Sequence, residues 1–230
     1  MSVSDVPSTP GKPLIMKFDS RSVELSWSPP LHQHHSAITH YIIHILEGEE
    51  TNWSKHEVIQ TKSDETSFNV TNLQAFTVYS FKVTAVNKIG LSNQSLPSYH
   101  MMTLREVPEG KPTITSAHNL TSSSIKISWR APNASTINGE FLGYQISWKD
   151  RNSQNSDEIS HVQIKDPKET RHVISGLNTY TQYLVSLQVM NPKGLGPSST
   201  VVVMTDEGGI YSIYVKISEI EGFLQCYLWV

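Results

Sequence analysis

His32, His34 and His35 fall within four residues of one another, with His40 and His44 shortly after. Neutral imidazoles are the side chains best suited to hold a borderline cation such as Zn²⁺ or Cu²⁺, and three of them converging at about 2.0–2.1 Å would form a site. The surrounding stretch, Pro29-Pro30-Leu31-His32-Gln33-His34-His35-Ser36, has the composition of a solvated loop that does not force convergence, so no metal is assigned. Five Asn-x-Ser/Thr triplets without a central Pro begin at Asn52, Asn69, Asn93, Asn119 and Asn133, more than this Ser-rich composition would scatter by chance. Each is a candidate acceptor for an N-linked glycan, and glycosylation at one or more of them is expected. Asn69 stands between apolar Phe68 and Val70, so in a strand its side chain points to solvent. There is no glycine-rich phosphate loop, no GxSxG and no HExxH, so neither an enzyme, nor a cofactor, nor a small-molecule substrate is expected.

The elements that position these residues are written twice. Trp27, Tyr41, Leu73, Tyr79, Asn87 and Gly90 recur in order as Trp129, Tyr144, Leu177, Tyr183, Asn191 and Gly194, at spacings of 102 to 104 residues. That period is far longer than the ~20–50 residues of solenoid units, so each copy is expected to close its own core. Within the first copy Val23, Leu25 and Trp27 alternate with Ser22, Glu24 and Ser26, and Tyr41, Ile43 and Ile45 repeat the alternation. Phe68 and Val70, then Tyr79, Phe81, Val83 and Ala85, do the same. The second copy offers Ile125, Ile127 and Trp129, then Tyr144, Ile146 and Trp148, then Ile174 and Leu177, then Tyr183, Val185, Leu187 and Val189. A period of two with Pro, Gly and Asn between the runs predicts an all-β chain of two antiparallel sandwiches. The expected core is Trp27, Tyr41, Leu73 and Tyr79 in one copy and Trp129, Tyr144, Leu177 and Tyr183 in the other.

Charge excludes further classes. Eighteen Lys and Arg against 21 Asp and Glu give a net charge of −3, without the basic excess that nucleic acid requires. The single cysteine, Cys226, lies beyond the second copy, so neither sandwich can hold an internal disulfide. Met1 to Pro13 lacks the apolar run of a secretory signal, and Lys216, Glu219 and Glu221 interrupt the only apolar tail, so no membrane span is expected.

Ser26-Trp27-Ser28-Pro29-Pro30, Tyr41, Leu73 to Tyr79 and Asn87 to Gly90 together resemble the fibronectin type III domain. So do Ser128-Trp129-Arg130-Ala131-Pro132, Asn138-Gly139 before Gly143-Tyr144, Leu177 to Tyr183 and Asn191 to Gly194. The resemblance implies two tandem seven-stranded fibronectin type III sandwiches, immunoglobulin-like in fold. It also implies that the hydroxyls of Tyr79 and Tyr183 bond back to backbone near Leu73 and Leu177. The expected boundaries are a linker remnant over 1–6, a first domain over 7–104, a linker over 105–110, a second domain over 111–205 and an atypical tail over 206–230. Gly209 to Val230 fits no part of the pattern, and is expected to be an alternative or misread 3′ end.

The linker Val107-Pro108-Glu109-Gly110-Lys111-Pro112 and the two Asn-x-x-Gly tips are similar to those of immunoglobulin-superfamily cell-surface receptors, the sidekick, Dscam and receptor tyrosine phosphatase groups. That similarity implies a non-enzymatic protein-interaction and spacer module from the extracellular part of a cell adhesion or recognition receptor. Its partners would be other proteins of the cell surface or matrix. The parent would lie on the extracellular side of the plasma membrane. An intracellular array of the titin and twitchin kind is the alternative. Cytokine receptors are excluded by the absence of cysteine pairs and of a Trp-Ser-x-Trp-Ser element, and the tips at Lys88, Ile89, Lys193 and Leu195 carry no Arg-Gly-Asp for an integrin.

Overall fold

A computed structural model describes residues 5–50, 52–54, 56–152 and 159–207; the tail over 208–230 lies outside the described residues. Contacts divide the chain into two units, one ending at Glu106 and the next beginning at Val107. The first unit has strands β1 (Leu14–Phe18), β2 (Val23–Ser26), β3 (Ile38–Glu47), β4 (Glu57–Gln60), β5 (Ser67–Val70), β6 (Val78–Asn87) and β7 (Met101–Met102). They form two antiparallel sheets, β1-β2-β5 and β4-β3-β6-β7. The second has β8 (Thr113–Thr121), β9 (Ser124–Arg130), β10 (Gly143–Asp150), β11 (Ser160–Ile164), β12 (Arg171–Ser175), β13 (Gln182–Asn191), β14 (Gly194–Leu195) and β15 (Ser199–Met204). Its sheets are β12-β9-β8 and β11-β10-β13, with both β14 and β15 pairing β13. The extra pair β14 is a two-residue extension of the β13 hairpin, and a 3₁₀ turn spans Ala134–Ile137.

Each sandwich closes because alternation supplies one apolar face per sheet. Val23 and Leu25 of β2, Ile43 of β3 and Phe81, Val83 and Ala85 of β6 have no exposed surface, and Ile125, Ile127, Ile146, Val185, Leu187 and Val189 repeat this in the second unit. Trp27 and Tyr41 meet edge to face at 5.1 Å between centroids and 71°, and Trp129 and Tyr144 at 5.1 Å and 63°. Leu73, Tyr79, Leu177 and Tyr183 are buried in the same two cores. The indole nitrogens of Trp27 and Trp129 have no hydrogen-bond partner, so both rings are held by their area and ring geometry alone.

The turn before β6 is fixed by two hydroxyls. Tyr79 Oη accepts from Gln74 N at 3.0 Å, and Thr103 Oγ1 accepts from Thr77 N at 3.0 Å while donating to Gln74 O at 2.6 Å. Before β13, Tyr183 Oη accepts from Asn178 N at 2.9 Å, and Thr205 Oγ1 accepts from Thr181 N at 3.0 Å while donating to Asn178 O at 2.7 Å. These clasps hold Phe76 and Tyr180 at φ 51° and 49°, a left-handed conformation that costs an aromatic residue energy unless its surroundings enforce it.

Candidate functional site

The connection between β2 and β3 and the hairpin after β6 share one end of the first sandwich. Asn87 joins them: its Oδ1 accepts from Ile89 N at 2.9 Å and Gly90 N at 3.0 Å, and its Nδ2 donates to Ser36 O at 3.5 Å in the β2–β3 connection and to Asp5 O at 3.1 Å in the N-terminal segment. In the second unit Asn191 Oδ1 accepts from Lys193 N at 2.8 Å and Gly194 N at 3.2 Å, and Nδ2 donates to Ile137 O at 2.8 Å. The repeated Asn-x-x-Gly is thus a buried amide that shapes the hairpin and ties it to a neighbouring loop, leaving Lys88 and Ile89 exposed at the tip.

The histidines divide. His34 and His35 both have positive φ, 51° and 64°, and the rings of His32 and His34 stand 5.8 Å apart on an exposed loop. Among the described residues no group of three or more His, Cys, Asp or Glu side chains is placed to hold a metal. His40 hydrogen-bonds Thr39 on the surface. His44 points away from this loop altogether, is only 8% exposed, and contacts His56 and Thr84.

Of the glycan candidates, Asn52, Asn69, Asn93 and Asn133 are exposed and Asn119 is half-buried on β8. Asn69 sits on β5 opposite Glu24, on the solvent side of the smaller sheet. Asn52 and Asn133 fold their Oδ1 onto the backbone N–H two residues on, at Ser54 and Ser135. Asn93 belongs to an edge that sequence periodicity did not reveal.

That edge runs beside β6. Ser92, Ser95 and Ser98 donate backbone N–H to Ala85 O, Val83 O and Phe81 O at 2.8–2.9 Å. In return Ala85 N, Val83 N and Phe81 N donate to the serine Oγ atoms at 2.9, 2.9 and 3.0 Å, and each Oγ donates to the next carbonyl, Asn93 O, Leu96 O or Tyr99 O. Three residues of this segment therefore match two of β6, and a side-chain oxygen replaces the carbonyl that a regular strand would present. The signal was the three-residue spacing Ser92, Ser95, Ser98, which belongs to neither a strand nor a helix face. Leu96 and Tyr99 project outward between the serines, 73% and 75% exposed, with Lys12 Nζ 3.3 Å above the Tyr99 ring. No described helix is long and apolar enough to cross a membrane.

The fibronectin type III domain model matches residues 8–101 and 110–205, and the chain belongs to that family. It is 48% identical over 206 residues to a protein named as a receptor-type tyrosine-protein phosphatase, mosPTP-1, of Aedes aegypti, covering 90% of this chain and 16% of the relative. It is 30% identical over 201 residues to the cell adhesion molecule Dscam1 of Drosophila melanogaster, covering 86% and 10%. It is also 30% identical over 216 residues to sidekick-2 of Mus musculus, covering 85% and 10%. The chain thus spans between a tenth and a sixth of the length of these relatives. A crystal structure of chicken CNTN1 FN1-FN3 domains superposes with a TM-score of 0.69 over 96% of this chain and 75% of that one, at 22% identity, a likeness of fold.

Proposed function

We propose that this tandem fibronectin type III pair is a non-enzymatic protein-interaction and spacer module from the extracellular part of a cell adhesion or recognition receptor. The observation that carries the reading is the match along nine tenths of the chain to a protein named as a receptor-type phosphatase, joined by matches to adhesion molecules. The described surface supports it. Four candidate glycan acceptors stand exposed, and the hairpin tips and strand faces offer small, separate contact areas of the kind that bind weakly and gain strength through repetition along a longer chain. We assign the segment 105–110 as the linker and 206–230 as an extension outside the two domains.

The test is to fuse the chain behind a heterologous signal, secrete it from eukaryotic cells and compare its peptide masses with and without glycosidase. Occupied Asn69 or Asn119 on well-secreted protein is the expected result. Retention in the cell with all five sequons empty would instead favour the intracellular spacer of the titin and twitchin kind.

A further inference from the structure

On the outer face of the larger sheet of the first domain, a chain of hydrogen bonds has a direction that follows from elementary chemistry. His56 Nδ1 lies 2.6 Å from Trp53 O, and a carbonyl only accepts, so Nδ1 carries the proton. In a neutral ring His56 Nε2 is then bare and must accept from His44 Nδ1–H, 2.8 Å away. His44 Nε2 is bare in turn and accepts from the Thr84 hydroxyl at 2.9 Å. Both tautomers are therefore set, and the two rings sit 4.9 Å apart between centroids.

The position of this chain in the fold gives it mechanical meaning. Tyr41, Ile43 and Ile45 of β3 enter the core, so His44 and Leu46 belong to the opposite face, where Thr84 and Ser80 of β6 also lie. That face would ordinarily be wet, yet His44, Leu46, Ser80 and Thr84 are at most 8% exposed. His56, just before β4, lies against it, and the Trp53 ring takes the Lys82 ammonium at 4.3 Å. In the second domain the equivalent of His44 is Ser147, half-buried, so only the first copy carries the pair.

One proton can be absorbed. If His56 becomes doubly protonated, its Nε2–H turns toward His44, which shifts its own proton to Nε2 and donates to Thr84 Oγ1, and every contact survives. A second proton has no such place. It sets two N–H donors and two cations against each other across 2.8 Å, with the ammonium of Lys82, directly opposite His44 on β6, adding to the repulsion. The other neighbours are Val58 of β4, opposite His44, and Thr84, while Glu47 and Glu57 line a cleft with His56, and among the described residues neither carboxylate is hydrogen-bonded or ion-paired to either ring.

We propose that Thr84, His44, His56 and Trp53 form a proton-operated latch, which holds Trp53 and His56 against the sheet while the two imidazoles share at most one proton, and which a second proton opens. Burial pushes the His44 imidazole down to about 4, with the charges of His56 and Lys82 acting in the same direction. The closed state therefore binds fewer protons than a free imidazole, whose ordinary value is about 6.5, and acidification through that interval favours the open state.

The experiment is ¹H–¹⁵N NMR of the full chain from pH 7.5 to 4, with the Trp53 indole signal identified by its loss in Trp53→Phe. The Trp53 indole and the Thr84 amide should shift together with an inflection between about pH 6.5 and 4, while the Trp27 and Trp129 indoles stay in place. In His56→Gln, which leaves one imidazole and so cannot set two cations against each other, that shift should disappear. The idea is overturned if the Trp53 signal is constant down to pH 4, if it titrates unchanged in His56→Gln, or if it moves only together with Trp27 as the whole domain unfolds.

Discussion

The last strand of each domain meets the same demand with different chemistry. In the second domain β15 lies beside β13 in regular register from Gln182↔Met204 to Leu187↔Ser199. In the first domain only Met101 and Met102 pair with β6, and the preceding segment binds through the hydroxyls of Ser92, Ser95 and Ser98. Both arrangements satisfy the outward backbone groups of the neighbouring strand, but they leave different outer surfaces. Among the described residues β15 pairs only with β13, so its far side keeps the geometry of a strand edge. The serine segment turns its Asn93, Leu96 and Tyr99 carbonyls onto its own hydroxyls, carries Pro97 and advances at the wrong period, so no further strand can continue that sheet. An open sheet edge is a template for pairing with another chain, and here one copy closes it through side chains.

Replacing all three serines with alanine should break the contrast most severely. Each change leaves one buried backbone N–H of β6 without an acceptor, at about 1–3 kcal/mol apiece, so the triple variant loses a large part of a typical domain's stability of about 5–15 kcal/mol. Urea denaturation followed by near-ultraviolet circular dichroism should show a first-domain transition at much lower urea with the second unmoved. If the triple variant melts like the parent, the hydroxyls do not hold that edge.

The start of the third strand separates the copies in the opposite sense. Gly143 opens β10 at φ 127°, and a Cβ there would sit 2.0 Å from Ile164 O, backbone that cannot step aside without disturbing β11. The first domain has His40 at the corresponding place, next to a register shift between Ile38 and His40. Gly143→Ala should therefore cost the second domain at least about 2 kcal/mol from the strained φ and the collision, while the first-domain transition stays where it was. Where the copies agree, the effects should agree. Tyr79→Phe and Tyr183→Phe each remove one acceptor from a turn N–H, and each should lower its own domain by about 0.5–1.5 kcal/mol in the same denaturation experiment. A clear inequality between the two would show that the clasps of Thr103 and Thr205 do not share the load equally.

The repeat of Trp, Tyr, Leu, Tyr, Asn and Gly made the sandwich legible, because strand alternation and core aromatics are local patterns that packing leaves intact. The short strands β1 and β4 were not legible. Leu14, Met16 and Val58 are more than half exposed, so burial wrote no alternation into them. His44 follows the loop histidines closely in sequence, yet strand direction sends it to a face where its partner is His56, twelve residues on. Sequence spacing along a strand does not say which outward residues another segment will cover. The serine edge was missed for a related reason: its period belongs to the match between two segments and has no template in a single one.

The smallest effect concerns the end of each domain. In the first, Glu106 accepts from Arg21 Nη2 at 2.7 Å and Nε at 3.0 Å and from the Ser20 hydroxyl, tying the end of the unit to the β1–β2 turn. The backbone carbonyls of Arg21 and Ser123 play equal parts, accepting from Leu73 N and Leu177 N, so Ser123 stands where Arg21 does. The second domain thus lacks the cation of this clasp. Hydrogen bonds from Arg21 and then Ser20 hold the Glu106 carboxyl below its ordinary value of 4.5. A depressed carboxyl adds stability above its unfolded value and loses it as pH falls through the folded one, so the contribution fades below about pH 4.5. The pair is partly exposed, which keeps it to about 1 kcal/mol. Glu106→Gln should lower the first domain slightly at pH 7, and the difference from the parent should shrink as pH falls below about 4.5. A difference that persists in acid would mean that Glu106 acts through packing or its neutral hydrogen bonds, and the two domain ends would then differ in shape more than in charge.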